Sequence, residues 1–326
     1  MSRRNYTQRH HRRRRSYSWK KKRSPLHLLL IALLGGLLIF SLWQLISYGV
    51  DYLNAQRTSA ELRTLYYAPD PESPAPQPTP SPTAEPTSPP MPEILSPVSS
   101  PLPTAAANLP TLRYPTNYYA AVNSRFQKLQ RQNEDIIGWL TIEDLLDEAV
   151  VQRDNSYYLR RDYRGYHNTN GAIFLEESCS LASRPYTLML YGHNMKTGAM
   201  FGCLRNYENL SFYKNNAFIT FDTAYEKGRF VIFSITTVSL KSYDRNYLNF
   251  GKVYSSNIAC RQESIAALQE LSTHYSFIDV QPEDQLLLLI TCVDDDSERR
   301  IVAARRIRDE ETEEALQAQL NRSFTH

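Results

Sequence analysis

The hydrophobic pattern changes period several times along the chain. Positions 26–46 (LHLLLIALLGGLLIFSLWQLI) contain no Asp, Glu, Lys or Arg, and 21 residues match the ~20 that a helix needs to cross a bilayer. One transmembrane helix is predicted, over 26–48 with its flank, followed by a juxtamembrane segment at 49–67. A cleaved signal peptide has a shorter apolar core of ~7–15 residues and a small-residue cleavage site; YGVDYLNA is a poor one.

Positions 116–308 read as a folded domain. Tyr119, Val122, Phe126 and Leu129 recur at three- and four-residue spacing, which predicts an amphipathic helix with Arg125, Lys128 and Arg131 toward water. Short runs rich in β-branched and aromatic residues follow: EAVVQ at 148–152, GAIFLE at 171–176, YTLMLYGH at 186–193, AFITFD at 217–222, RFVIFSITTVSL at 229–240, LLLLITC at 286–292 and RIVAARRI at 300–307. They predict strands, hence a mainly β fold, barrel or sandwich. Two helical inserts interrupt them, GAMFGCLRNY at 198–207 and the stretch 258–274, where Ile258, Ile265, Leu268 and Leu271 form one stripe.

Composition modifies this picture at both ends. The 326 residues suffice for one or two domains, and ordinary apolar and charged content excludes collagen, coiled coils and small disulfide scaffolds. The formal charge of +3 is misleading: residues 1–24 hold 11 Lys and Arg and no acid, so the rest carries 26 bases against 34 acids. The basic tail at 1–25 is read as a topology signal that keeps the N-terminus cytoplasmic and the rest of the chain outside. It gives no support to a nucleic-acid partner. Between 68 and 115 lie 16 of the 19 prolines, too little apolar surface to fold. This stretch is expected to be a disordered, semi-rigid stalk of on the order of 150 Å in polyproline geometry. The acidic tail, 309–326, is expected to be frayed or disordered.

Candidate chemistry is sparse. Cys179, Cys203, Cys260 and Cys292 show neither a disulfide framework nor Cys-x-x-Cys zinc spacing, so no metal or cofactor is implied. Cys292 ends the apolar run LLLLITC and enters the polar loop Asp294–Asp296, a position where a thiol is held yet reaches solvent. A free cysteine is more often a small buried hydrophobe. His193 follows the strand YTLMLYG at a similar exit, whereas His167 lies in a turn-like GYHNTNG and His274 ends the second helical insert. A Cys and a His at two strand ends match a thiol site assembled in space.

The strings NEDIIGWL (133–140), VVQRDNSYYL (150–159), NGAIFLE (170–176), YGHNMKTGAMFG (191–202), ITC (290–292) and RIVAAR (300–305) resemble, in order, successive blocks of a class B sortase. The resemblance implies a closed β-barrel with an N-terminal helix and a helical insert before the penultimate strand, on a membrane-anchored, extracellular domain. It implies a cysteine transpeptidase that cleaves an NPxTx-like sorting motif after Thr and passes the acyl group to an amine of a cell-wall precursor or pilin. It carries over three catalytic residues, His193, Cys292 and Arg300. The sequence departs from the family at Leu288, where a Thr is usual, and at Ile290, a serine-like slot. Two alternatives use the same features. A non-catalytic wall-binding module on a stalk needs neither His193 nor Cys292, and an L,D-transpeptidase-like Cys/His enzyme lacks its signature because no His closely precedes Cys292.

Overall fold

A computed structural model describes residues 25–69, 122–293 and 297–325, with the backbone alone at 25, 27, 28 and 292. The basic tail, all but the first two residues of the expected stalk, and Asp294–Asp296 lie outside the described residues. The chain divides into two compact units between Val50 and Asp51. The first contains most of α1 (Pro25–Tyr66), a single helix whose apolar part, of mean hydropathy 2.4 over 18 residues, is long enough to cross a membrane.

The second unit is a closed barrel. Its strands are β1 (Ile136–Ile142), β2 (Leu146–Val151), β3 (Ile173–Leu175), β4 (Thr187–Tyr191), β5 (Phe218–Thr223), β6 (Arg229–Ser239), β8 (Leu286–Cys292) and β9 (Glu298–Arg306), in the order β1-β2-β3-β4-β8-β9-β6-β5. A two-residue β7 (His274–Tyr275) pairs outside it with β10 (Phe324–Thr325). Closure leaves the barrel without an open edge. Residues 286–290, between parallel β4 and antiparallel β9, are all buried, which is why LLLLI shows no alternation.

The short helices are α2 (Ser124–Gln130), α3 (Leu210–Asn215), α4 (Phe250–Val253), α5 (Ile258–Glu270) and α6 (Glu313–Asn321). Each starts behind an Asn or Thr whose side chain accepts a first-turn N–H: Asn123, Asn209, Asn249, Asn257 and Thr312. Phe126 and Leu129 of α2 are buried, as their spacing predicts. The insert before β8 is α4 with α5, where Ile265 and Leu268 face the core while Ile258 stays exposed. The insert at 198–207 is a 3-10 turn over Phe201–Glu208. His274 opens β7 and is buried, donating through Nε2 to the Tyr207 carbonyl at 3.0 Å.

Both ends of the expected domain move outward. Residues 51–66, assigned from sequence to a juxtamembrane segment, belong to the second unit: Leu62 and Tyr66 join Phe126, Leu129, Trp139 and Val151 in one apolar cluster. The acidic tail is ordered as well. Leu316 and Leu320, one helical turn apart, are buried, and Glu311 accepts from the fully buried Arg305 at 2.6 Å. Acid-rich composition concealed an ordinary cap and an i, i+4 apolar pair.

A chain ended at 308 is therefore expected to be unstable. Leu320→Ala alone should cost ~2–5 kcal/mol in urea unfolding. Burial by itself would raise the Glu311 carboxyl, but Arg305 and the Arg308 amide hold it below its ordinary value of 4.5. The carboxylate's contribution is thus complete above about 4.5 and is lost as pH falls through the lower folded value. Glu311→Gln should remove that acid-sensitive part, so that the variant's unfolding free energy changes less between neutral and acid pH than the parent's.

Candidate active site

Three neighbouring strands bring the candidate residues together. Parallel β4 and β8 pair Leu190 with Leu289 and Tyr191 with Ile290, and the Gly192 N–H donates to the Ile290 carbonyl at 3.2 Å. The pairing of β4 with β8 ends there; His193 follows Tyr191 by two residues, as Cys292 follows Ile290 on β8. On the other side, antiparallel β9 pairs Cys292 with Arg299 and Thr291 with Arg300. Positions 292 and 299 are thus directly opposed across strands spaced ~4.8 Å apart, and His193 and Arg299 line one cavity.

This register separates the two arginines. Directly opposed residues share a face and successive residues alternate, so position 299 lies on the face of 292 and position 300 on the other. Arg300 is buried and its guanidinium bonds Glu208, at the end of the 3-10 turn. Arg299, by contrast, lines a cavity of about 330 Å³ with Asn155, Leu159, Phe174, Tyr191, His193 and Ile290. Arg299, and not the Arg300 expected from sequence, therefore shares the face of position 292; the strand starts at Glu298 rather than at 300.

His193 is oriented by backbone. Its Nε2 lies 2.6 Å from the Leu159 carbonyl oxygen, which only accepts, so Nε2 carries the hydrogen and Nδ1 is the basic nitrogen of the neutral ring. Leu159 sits in a 3-10 turn (Tyr157–Arg160) tied down by the Ala172 N–H to the Tyr158 carbonyl at 3.1 Å. Gly171 makes this approach possible: its φ is +62°, and a Cβ there would stand 2.7 Å from both the Tyr158 and Leu159 oxygens. The turn after His193 is held equally firmly. The His193 carbonyl accepts from the Phe201 N–H at 3.0 Å, and Arg205 donates to Asn194 and to the Met195 carbonyl at 3.0 and 2.7 Å.

The cavity floor is apolar and its rim polar. Phe174 and Tyr191 stack with centroids 5.5 Å apart, and burial raises the Tyr191 phenol, which keeps it protonated. Asn155 donates to Glu176 at 3.0 Å. Burial would raise Glu176, but Ser178 and Asn155 hydrogen bonds hold it below the usual carboxylate range. Sequence reasoning did not single out Leu159, Asn155, Tyr191 or Phe174, although all four lie in or beside the quoted blocks. Two other clefts, of about 520 and 660 Å³, lie elsewhere. In the first, Arg306 and Arg308 are already paired with Glu226 and Asp284 at 3.2 and 2.6 Å. Among the described residues no three His, Cys, Asp or Glu side chains form a metal-ligand set.

The "Sortase domain" family model matches residues 140–307. Sortase B of Staphylococcus aureus is 30% identical over 173 residues, covering 52% of this chain and 68% of that protein. Among solved structures, sortase B from B. anthracis in complex with AAEK1 superposes with a TM-score of 0.56 at 23% identity, over 79% of this chain and 99% of that one. A Staphylococcus aureus sortase B–substrate complex gives 0.51 at 28% identity, over 58% and 88%.

The remaining thiols differ in burial, Cys260 being only half-buried. Cys179 and Cys203 are free and buried, and burial pushes them up to about 11 and about 12. Iodoacetamide at about pH 8 should leave both unmodified in the folded protein and alkylate them in urea, because the thiolate is the nucleophile. Peptide mass spectrometry checks this, and labelling of either thiol in the folded state would contradict the packing.

Proposed function

Because the chain belongs to the sortase family and, within it, to class B, we propose that it is a membrane-anchored cysteine transpeptidase with Cys292 as nucleophile, His193 as acid and base, and Arg299 as oxyanion donor. The observation that supports this reading is that position 299 stands opposite 292 in the β8–β9 pairing while His193 and Arg299 line one cavity.

The chemistry starts from an unfavourable proton transfer. Reference values near 8.5 for Cys and 6.5 for His favour the neutral pair by ~2 units, about 2.7 kcal/mol. The Leu159 carbonyl accepts from Nε2 and keeps the ring oriented with Nδ1 free to take the proton. The Arg299 guanidinium, on the residue paired with 292, favours a thiolate. The thiolate attacks the carbonyl carbon of the motif's Thr, and the resulting oxyanion takes hydrogen bonds from Arg299. As the C–N bond breaks, the proton on His193 Nδ1 passes to the leaving amine, and a thioester remains on Cys292. An incoming amine then gives a proton back to Nδ1, attacks the thioester and releases the thiolate.

The substrate follows from the family and the pocket. The motif is NPxTx-like, on surface proteins, and the acceptor is an amine of a peptidoglycan precursor or pilin. The apolar floor made by Phe174, Tyr191 and Ile290 suits the uncharged part of such a peptide, with Asn155 beside it. The apolar part of α1 anchors the protein by a single pass, with the N-terminus cytoplasmic and the barrel extracellular.

Single-turnover acylation by a panel of NPxTx-like and LPxTG peptides, read by intact-protein mass spectrometry, tests the assignment. Cys292→Ala should abolish the acyl adduct. Arg299→Ala should slow acylation by ~100-fold or more, as for loss of one transition-state donor. Arg300→Ala should cost no more than about tenfold, through misplacement alone. A larger loss at 300 than at 299 would overturn the role given to the register.

A further inference from the structure

The segment expected to be a stalk begins and ends at one place on the folded domain. Before it, Tyr66 of α1 lies flat on Trp139 of β1 with ring centroids 4.3 Å apart, and its hydroxyl donates to Asp222 at 2.7 Å. One turn earlier Leu62 is buried, and Arg63 donates to the Asp147 carbonyl at 2.8 Å and pairs with Glu148 at 3.2 Å. Ser59 donates to Glu148 at 2.6 Å. After the segment, Phe126 meets the Tyr66 ring edge-on at 6.1 Å, and the Arg125 guanidinium lies 4.8 Å from its centroid. The Lys128 Nζ donates to the Pro69 carbonyl at 3.4 Å. Residue 69 and residue 128 are thus neighbours although 58 residues separate them in sequence.

We infer that residues 51–66 are the mount on which the domain is held, seated on a surface formed by Trp139, Asp147, Glu148 and Asp222, and that the Pro-rich segment 70–121 is a load-free insertion. A spacer has to lie between an anchor and what it carries. Here the chain leaving the apolar part of α1 reaches the domain through the docked helix before it reaches residue 70. The contact combines ring stacking, a buried leucine and charge-assisted hydrogen bonds, which hold without a covalent link. The length of the segment therefore does not set the reach of the domain, and scission inside it leaves the domain attached. The inference stands apart from the proposed transpeptidase activity, and its test is read without it.

The full-length chain in detergent, with an N-terminal affinity tag, receives a specific protease site between Pro90 and Met91. After cutting, the fragment from 91 onward is expected to stay on the resin and co-elute with the tagged fragment. Its appearance in the flow-through would overturn the inference. The same cut chain carrying Arg63→Glu and Tyr66→Ala should release that fragment, and retention by this double variant would also overturn it. Hydrogen exchange of the 52–66 amides gives a second reading that needs no variant of the mount. Protection should persist in the cut chain, and in a chain whose residues 74–117 are replaced by about eight Gly and Ser, which reach up to ~26 Å. Loss of protection in either would show that the segment, and not the docked surface, holds the helix.

Discussion

The candidate site depends on the register in which β8 is held between β4 and β9. That register is fixed far from the reacting end. Where β8 begins, the Leu286 N–H donates to the Tyr186 carbonyl at 2.6 Å, and Gln285 donates to the Pro185 carbonyl at 2.8 Å. Gln285 also accepts from Arg306, both at its backbone carbonyl (2.9 Å) and at its side chain (3.1 Å). One residue thus pins β4, β8 and β9 together, and the buried run 286–290 carries the alignment to position 292. A slip by one residue would set Arg300 opposite 292 and turn Arg299 away.

His193 lies beyond the end of β4, so it needs other support. Its ring is held by a backbone carbonyl instead of a carboxylate, and that oxygen is in place because Gly171 lets two chain segments approach more closely than any Cβ permits. A carbonyl has no charge to lose with pH, so the tautomer it enforces is independent of a second titration. The ring orientation is therefore a property of loop packing around 157–172, some distance along the chain from either strand.

Much of this was legible in the sequence where the physics is local. Continuous apolar runs mark β4, β6 and β8, and the exits at 193 and 292 are visible as the places where those runs stop. Strand β1 was harder to see, because Gly138 breaks its apolar run; the structure explains the glycine, since a Cβ there would stand 2.5 Å from the Phe221 ring. The parity of Arg299 and Arg300 was not legible: both precede the same apolar run, and only pairing with β8 decides which face each takes. Residues 51–66 were missed for a similar reason. Their partners Trp139, Asp147 and Asp222 lie 73 or more positions away, and nothing in the local pattern announces a docking face. The tail at 309–325 was different, since Thr312, Leu316 and Leu320 carried the signal and acid content outweighed it.

The two adjacent arginines end up with separate tasks because a strand has two faces. Arg299 faces the cavity. Arg300 bonds Glu208, the last residue of a 3-10 turn whose first residue, Phe201, holds the His193 carbonyl. The stretch 193–208 is therefore fastened at both ends, to itself beside the histidine and to β9 beside Arg299. Glu208 is largely solvent-exposed while Arg300 is not, so the pair contributes little net stability, although removing Glu208 would strand a buried cation. Its value is geometric. It ties the turn that follows His193 to the strand that carries Arg299, so a shift of either moves both relative to position 292 together.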